Sequence, residues 1–411
     1  MLRIVYFYPH NLEPPKIGAD RRCREMLGGL RDLGHHVVLL SSSLSSFTPW
    51  TLEASEALDR RLVSEVRLFT PGFWDLKWRG LLHRYHALRG RLPRFDSSFW
   101  TPFGMRGWFA AVCRELKPDV VIMSYAQWDG LVPHDALSGA RRIIDSLDIM
   151  TLNSRMQRAL APYFSHTPLR VAEVSEKVLA ESFFAAHSCA ADPAEFGIFD
   201  RYNTTVAISP ADARLIIDNT RRTKVSYIPV TLEPIALENS YSGSALFPIG
   251  PNLFNLQGLA YFARKVLPTV RKAAAGFDLV VCGNPYGNLA LVLEPGMRFV
   301  GFVPEISELY ATTPFAICPV FGGTGQQIKI VEAMAHGVPV VALRVAAEAS
   351  PIRHEENGLV AGNAAEFAEH TIRLWRDRDL CHQLGQAARE TVAAEFSRAR
   401  LVDELDRLLA R

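Results

Sequence analysis

Short apolar runs alternate with amphipathic stretches along most of this chain, and that alternation restricts the fold to parallel α/β layers. LRIVYFY, HHVVLLSSS, DVVIMSY, RRIIDSLD and TTVAISP read as strands with helices between them. The first helix runs through RRCREMLGGLRDLG and is closed by Gly34 at its C-terminal cap. Around YIPVTLEPIALENSYSG the pattern breaks into Pro, Ser and Gly, and it restarts at ALFPIG. From there FDLVVCG, MRFVGFV, FAICPV and VPVVAL are strands. NLQGLAYFARKVLPTVRKA, ISELYATT and IKIVEAMAHG are helices, and nearly everything after AAEFAEHTIRL is helical. The 411 residues suffice for two cores, since single cores stop growing near roughly 250–300 residues. The expected divisions are 1–235, 236–390 and a closing helix over 391–411.

Composition narrows the function classes. Hydrophobic residues at 48% and charged residues at 21% describe a folded protein, and a net charge of +2 gives no overall field that would draw nucleic acid. The six cysteines have no ligand spacing, and several sit in apolar runs such as VVCG and FAICPV, so neither a zinc site nor a disulfide framework is expected. MLRIVYFYP enters a strand at once and lacks the marks of a secretory signal, and no run of about 20 apolar residues occurs. The expected location is cytoplasmic. Residues 73–110 interleave Trp, Phe and Tyr with Lys77, Arg79, Arg84, Arg89, Arg91 and Arg94. Three readings stay open there: an acceptor glycan stacking on Trp74 or Trp78, peripheral contact with a membrane through residues 73–95, or a helix that covers the core with its arginines solvated.

The segment richest in chemistry is PVFGGTGQQIKIVEAMAHGVPVV, residues 319–341. A strand runs into a loop with Gly322, Gly323, Thr324 and Gly325, and a helix follows. Glycines let backbone N–H groups approach an anion, and a helix start adds a positive dipole end. Lys329, expected one turn into the helix, supplies a full charge, and Glu332 at i+3 could grip two neighbouring hydroxyls of a ribose. A surface turn with an ordinary Lys–Glu pair remains the plain alternative. The strand–loop–helix–strand context favours ligand binding, because open α/β sheets take ligands at the carboxyl ends of their strands.

GTGQQIKIVEAMAHGVPVVAL resembles the donor motif of glycosyltransferase family 4. ALFPIGPNLFNLQGLAYFARKVLPTVRK, FDLVVCGNP, VGFVPEISELYA and AAEASPIRHEENGLVAGNAAEFAEHTIRL resemble its other segments in order, as PPKIGADRR and LGHHVVLLS do its opening. The resemblance implies a GT-B fold: two Rossmann-like domains facing across a cleft, an N-terminal acceptor domain and a C-terminal donor domain, with a C-terminal helix crossing back. It implies transfer of a sugar from a nucleotide-sugar, UDP-linked in most of the family, to a glycan, lipid-linked or other hydroxyl acceptor. Configuration would be retained, with no metal and no cofactor, as expected in bacterial polysaccharide or glycoconjugate synthesis. The donor-binding residues it implies are Gly18, Gly250, Gly323, Thr324, Gly325, Gln326, Gln327, Lys329, Ile330 and Glu332, and the catalytic ones Lys329 and Asp148. Arg21 or Arg22 could add charge for the phosphates.

The chain departs from the family pattern at several positions. Thr324 stands where most members carry Glu, which places the chain in a subset with a Gly-Ser/Thr-Gly loop. Of that subset's two basic residues only Lys329 is present, the other position being Gln327. Asn252 and Asn255 stand where an Arg/Lys pair is usual, and Asn255 reads best as a helix cap. Leu147 replaces the His before Asp148, and Asp148 itself could equally cap the next helix. Two other functions stay open: a nucleotide-sugar 2-epimerase of the same architecture, and a nucleotide-binding protein of this fold that has lost transfer. No G-x-G-x-x-G follows the first strand, which disfavours a dinucleotide dehydrogenase.

Overall fold

The computed structural model describes residues 1–15, 17–44, 49–89 and 99–410. The chain divides into two compact units: residues 1–150, 191–231 and 398–411 form the first, and residues 151–190 and 232–397 the second.

The first unit is built on seven parallel strands: β1 (Arg3–Phe7), β2 (His36–Ser42), β3 (Glu65–Phe69), β4 (Val120–Ser124), β5 (Arg141–Asp145), β6 (Thr204–Ala207) and β7 (Lys224–Tyr227). Their order across the sheet is β3-β2-β1-β4-β5-β6-β7. Val5 pairs with Val38 on one side and Val121 on the other, so β1 is an interior strand beside the central β4. β4 is buried along its whole length, as a parallel strand covered on both faces must be, and its V-V-I-M run supplies the apolar surface. The Gly18–Asp32 helix ends where Gly34 adopts φ 76°. The last helix, Arg398–Ala410, packs Leu401 and Leu405 inside the unit, while Arg398 pairs with Glu25 at 2.7 Å and Asp32 at 2.9 Å.

The second unit has six parallel strands: β8 (Ala245–Ile249), β9 (Leu279–Gly283), β10 (Met297–Gly301), β11 (Ala316–Cys318), β12 (Val340–Leu343) and β13 (Leu359–Ala361). The order is β10-β9-β8-β11-β12-β13. Helical backbone follows β8 from Leu253 to Ala273, with one π-turn at Phe262–Val266. Pro268 has no N–H to give the carbonyl four residues back, and the wider turn absorbs the break.

The boundaries differ from those expected. Residues 151–190, expected in the first domain, group with the second unit because their apolar side chains have their core there. Leu160, Phe164, Val171, Val174, Val178 and Phe183 join the cluster containing Leu253–Leu267, and the amide of Gln257 donates to the Val178 carbonyl at 2.9 Å. Leu169–Arg170 also pairs with Leu291–Val292 as a short parallel ladder. The closing helix begins at Arg398 rather than 391, since the Arg378–Glu395 helix stops at Phe396.

Candidate functional site

β11 leads through residues 319–327 into the Ile328–Ala335 helix, and the geometry of that passage depends on its glycines. Gly323 and Gly325 have φ of 105° and 77°, left-handed backbone that side chains with a Cβ rarely adopt. Gln327 is the N-cap and makes no side-chain bond to the first turn. The Ile328 and Ile330 N–H groups donate to the carbonyls of Gln326 and Gln327 at 3.0 and 2.9 Å, and the helix start keeps its positive dipole end. Because it starts at Ile328, Lys329 is its second residue, not one turn in.

Residues of the second unit already touch this turn. The Gly323 N–H donates to the Met156 sulfur at 3.4 Å, and the Asn153 amide donates to the Thr324 hydroxyl at 3.4 Å. Gln157 steadies Asn153 through a 2.7 Å bond. A thioether is a weak acceptor, so a phosphate oxygen could replace it without leaving a strong bond unmade.

Lys329 lies half-buried with its Nζ against Asn255 Oδ1 and 5.1 Å from the centre of the Phe247 ring. Desolvation by burial holds its pKa below the ordinary lysine value. Among the described residues no carboxylate forms an ion pair with it. Asn255 is the residue that sequence reasoning misjudged. Asn252 caps the helix, accepting from the Asn255 N–H at 3.0 Å, which frees the buried Asn255 side chain to join Gly250 to Lys329. Its Nδ2 donates to the Gly250 carbonyl at 3.0 Å while its Oδ1 takes the ammonium. Only the i, i+3 Asn pair hinted at this division of labour.

Glu332 is half-buried on the same helix. Its charge and that of Lys329 are both felt by Cys282, whose thiol burial pushes up to about 12, with Glu332 adding to the rise and Lys329 opposing it. Gly250, Gly323, Thr324, Gly325, Gln326, Gln327, Lys329 and Glu332 thus belong to one unit, around the ends of β8 and β11. Ile330 is fully buried in the core, so its side chain is structural and only its backbone belongs with the turn.

Gly18 and Asp148 belong to the first unit. Gly18 opens the Gly18–Asp32 helix, where Asp20 accepts from the Ile17 N–H at 3.0 Å and the Tyr8 hydroxyl at 2.8 Å. Arg22 is not available to a phosphate: it forks onto Asp145 at 2.9 and 3.2 Å and donates to the carbonyls of Ile228 and Pro229. Asp148 is half-buried beyond Leu147, which takes φ 57°. Its charge helps raise the Tyr125 hydroxyl, after the larger effect of burial. The N–H of Met150, at the start of the next helix, is taken by Glu195 at 2.9 Å. Among the described residues no group of three or more His, Cys, Asp or Glu could hold a metal ion.

Several known proteins share parts of this pattern. EpsD of Bacillus subtilis (strain 168) is 33% identical over 150 residues, 36% of this chain and 38% of that one. The N-acetyl-alpha-D-glucosaminyl L-malate synthase of Bacillus anthracis is 28% identical over 122 residues, 28% of this chain and 31% of its own length. This chain therefore spans well under half the length of either relative. In fold the likeness extends further. A sucrose-phosphate synthase from Thermosynechococcus elongatus matches with a TM-score of 0.64 at 14% identity, covering 100% of this chain and 98% of that one. Anabaena HepE, solved in complex with UDP and glucose, matches with a TM-score of 0.59 at 13% identity, covering 100% of both chains. The chain has the α/β GT-B fold of these structures, with two Rossmann-like domains and a C-terminal helix, and its residues 246–377 match the family model for glycosyl transferases group 1.

Proposed function

We propose that this chain transfers a sugar from a nucleotide-diphosphate sugar, UDP-linked, to a hydroxyl acceptor. The observation that carries the reading is the left-handed Gly323–Gly325 turn feeding directly into a helix whose second residue is an uncompensated lysine. The turn's N–H groups, the helix start and Lys329 converge on negative charge, which is what a departing diphosphate develops. Glu332 holds the ribose, and Asn153 and Thr324 are the polar groups nearest the turn for the sugar. The similarity to group 1 glycosyl transferases supports the same assignment, as does a fold shared with a protein solved with UDP and glucose.

In this reading the bond from the anomeric carbon to the phosphate oxygen breaks as the acceptor oxygen bonds the same face of that carbon, retaining configuration. The acceptor's proton passes to the leaving phosphate, so no protein base is required, and no metal. Gly18 and Asp148 are the first unit's candidate groups for the acceptor. The acceptor is a glycan, a lipid-linked sugar or another hydroxyl compound, and the product belongs to bacterial polysaccharide or glycoconjugate synthesis.

The test is thermal-shift screening with UDP, GDP, ADP and dTDP, followed by assay of the stabilising nucleotide's sugars with and without acceptors. Transfer to an added hydroxyl compound supports the proposal. Epimerisation of the donor, or binding with neither transfer nor hydrolysis, would replace it with one of the two alternatives.

A further inference from the structure

The Phe73–Leu88 helix buries none of its 16 residues, although it is rich in large apolar side chains. It does not cover the core. Its polar side is the one turned to the protein. Asp75 accepts from the Gly72 and Gly104 N–H groups, Arg79 donates to the Leu44 carbonyl at 2.8 Å and lies over the Phe99 ring, and His83 stacks on Phe99. The side turned outward carries Trp74, Trp78, Leu81, Tyr85 and Leu88, alternately four and three residues apart, which on a helix makes one stripe. Trp74 is 80% exposed, Leu81 56% and Leu88 89%. A surface helix normally faces its apolar stripe inward, and contiguous exposed apolar patches mark interaction sites.

Beside the stripe the charge has one sign. Lys77 and Arg84 line an open depression with Phe73, Leu76, Gly80 and Leu81, and Arg89 lies over the Tyr85 ring. Asp75, the one acidic residue of the helix, is held on the opposite side. The helix is about 24 Å long at 1.5 Å per residue, and no described helix is long and apolar enough to cross a membrane. Its outward face therefore combines apolar side chains, two tryptophans and a tyrosine suited to a headgroup layer, and cations whose alkyl stems can lie along it. Arg91 and Arg94 lie outside the described residues.

We infer that this helix lies in the surface of an anionic lipid bilayer, with Trp74, Trp78, Leu81, Tyr85 and Leu88 inserted at the headgroup–acyl boundary and Lys77 and Arg84 on lipid phosphates. Charge complementarity selects the bilayer over a second copy of the chain, which would bring Lys77, Arg84 and Arg89 against an equally basic face. The inference does not depend on the proposed enzymatic activity.

The experiment is co-sedimentation of the full chain with vesicles of phosphatidylcholine alone or with 30% phosphatidylglycerol, with light scattering of the free protein alongside. Binding is expected only to the phosphatidylglycerol vesicles, with a blue shift of tryptophan emission. K77Q/R84Q should weaken it by roughly twenty- to thirty-fold, since each basic residue near an anionic surface contributes about fivefold and the two factors multiply. W74S/L81S/L88S should abolish it while leaving the melting midpoint and any nucleotide-induced shift unchanged, because all three side chains are exposed. Equal binding of either variant and the parent would overturn the inference. So would a parent that binds no vesicles, whether it forms a dimer disrupted by W74S/L81S/L88S or binds soluble glycans through the tryptophans.

Discussion

Lys329→Met separates the lysine's cost to the free protein from its use to a ligand. In the free protein the substitution removes a desolvated ammonium, which favours the variant. It also strips Asn255 Oδ1 of its donor, at about 1–3 kcal/mol, and ends the contact with Phe247, worth about 0.5–2 kcal/mol. These effects oppose each other, so the ligand-free melting midpoint should move little. With nucleotide bound they no longer cancel. A unit cation about 4 Å from a phosphate charge contributes roughly 4 kcal/mol at an effective dielectric constant near 20. Losing even about 3.5 kcal/mol raises Kd some 300- to 400-fold. UDP at 100 times the wild-type Kd stabilises the parent by about 2.7 kcal/mol, and the variant, at about 0.3 of its own Kd, by about 0.1 kcal/mol. A thermal-shift titration then reads a shift of several degrees in the parent and almost none in the variant. If Lys329→Met shifts as far as the parent at the same UDP concentration, the phosphate does not sit on Lys329 and the assignment is wrong.

The remaining predictions address the same turn. UDP affinity should fall as pH rises through the lowered Lys329 pKa toward the ordinary lysine value. Burial depresses the Lys329 pKa in the free protein, the diphosphate needs the ammonium, and binding therefore takes up a proton in that range. Calorimetry in two buffers of different ionisation enthalpy detects that proton, and its loss in Lys329→Met identifies the source. The same depression has a sign for stability: between the folded and unfolded pKa values the unfolded chain binds more protons, so the ligand-free fold should gain stability as pH rises through that window. Gly325→Ala forces a Cβ into φ 77° and should cost about 1–2 kcal/mol together with much of the UDP shift. Gly34→Ala, at φ 76° with open space around the new Cβ, should cost a similar amount and leave the UDP shift intact, as denaturant melts with and without UDP would reveal. Asn255→Asp gives Lys329 a permanent counter-charge and should weaken UDP at least about tenfold in the same titration, whereas unchanged affinity would refute the importance of a neutral partner.

Much of the fold was legible because its signals are local. The strands β1, β2, β4, β8, β9, β11 and β12 lie inside the apolar runs that announced them, and Gly34 and Gly337 follow helix ends with φ of 76° and 72°. What was not legible depends on contacts far apart in sequence. After the Met150–Leu160 helix, residues 161–190 form one two-residue strand and several short helical turns, so periodicity does not say which unit the segment joins, and burial against Leu253–Leu267 does. The same holds for Met156 and Asn153 at the glycine turn, 167 and 171 residues from their partners. The outward stripe of Phe73–Leu88 looks, as a sequence, like any amphipathic helix, because the pattern gives the stripe and not the direction in which it points.

The chain's two most informative basic residues show why burial and basicity alone do not identify a phosphate ligand. Arg22 and Lys329 both follow a loop into the first turns of a helix, and as sequence either could serve. Arg22 ends on Asp145, with side-chain exposures of 2% and 0%, and its remaining donors meet two carbonyls. Removing one member of such a pair leaves an uncompensated buried charge, so the pair is committed to the fold. Lys329 meets an amide oxygen and an aromatic face, partners that tolerate a cation without cancelling it. An anion arriving at the Gly323–Gly325 turn would find that charge still unspent, and its partner Asn255 already anchored through Gly250. A carboxylate at position 255 would cancel the Lys329 charge and could not donate to the Gly250 carbonyl, whereas the amide meets both partners. The neutral amide there is what a site reserved for an incoming negative charge requires.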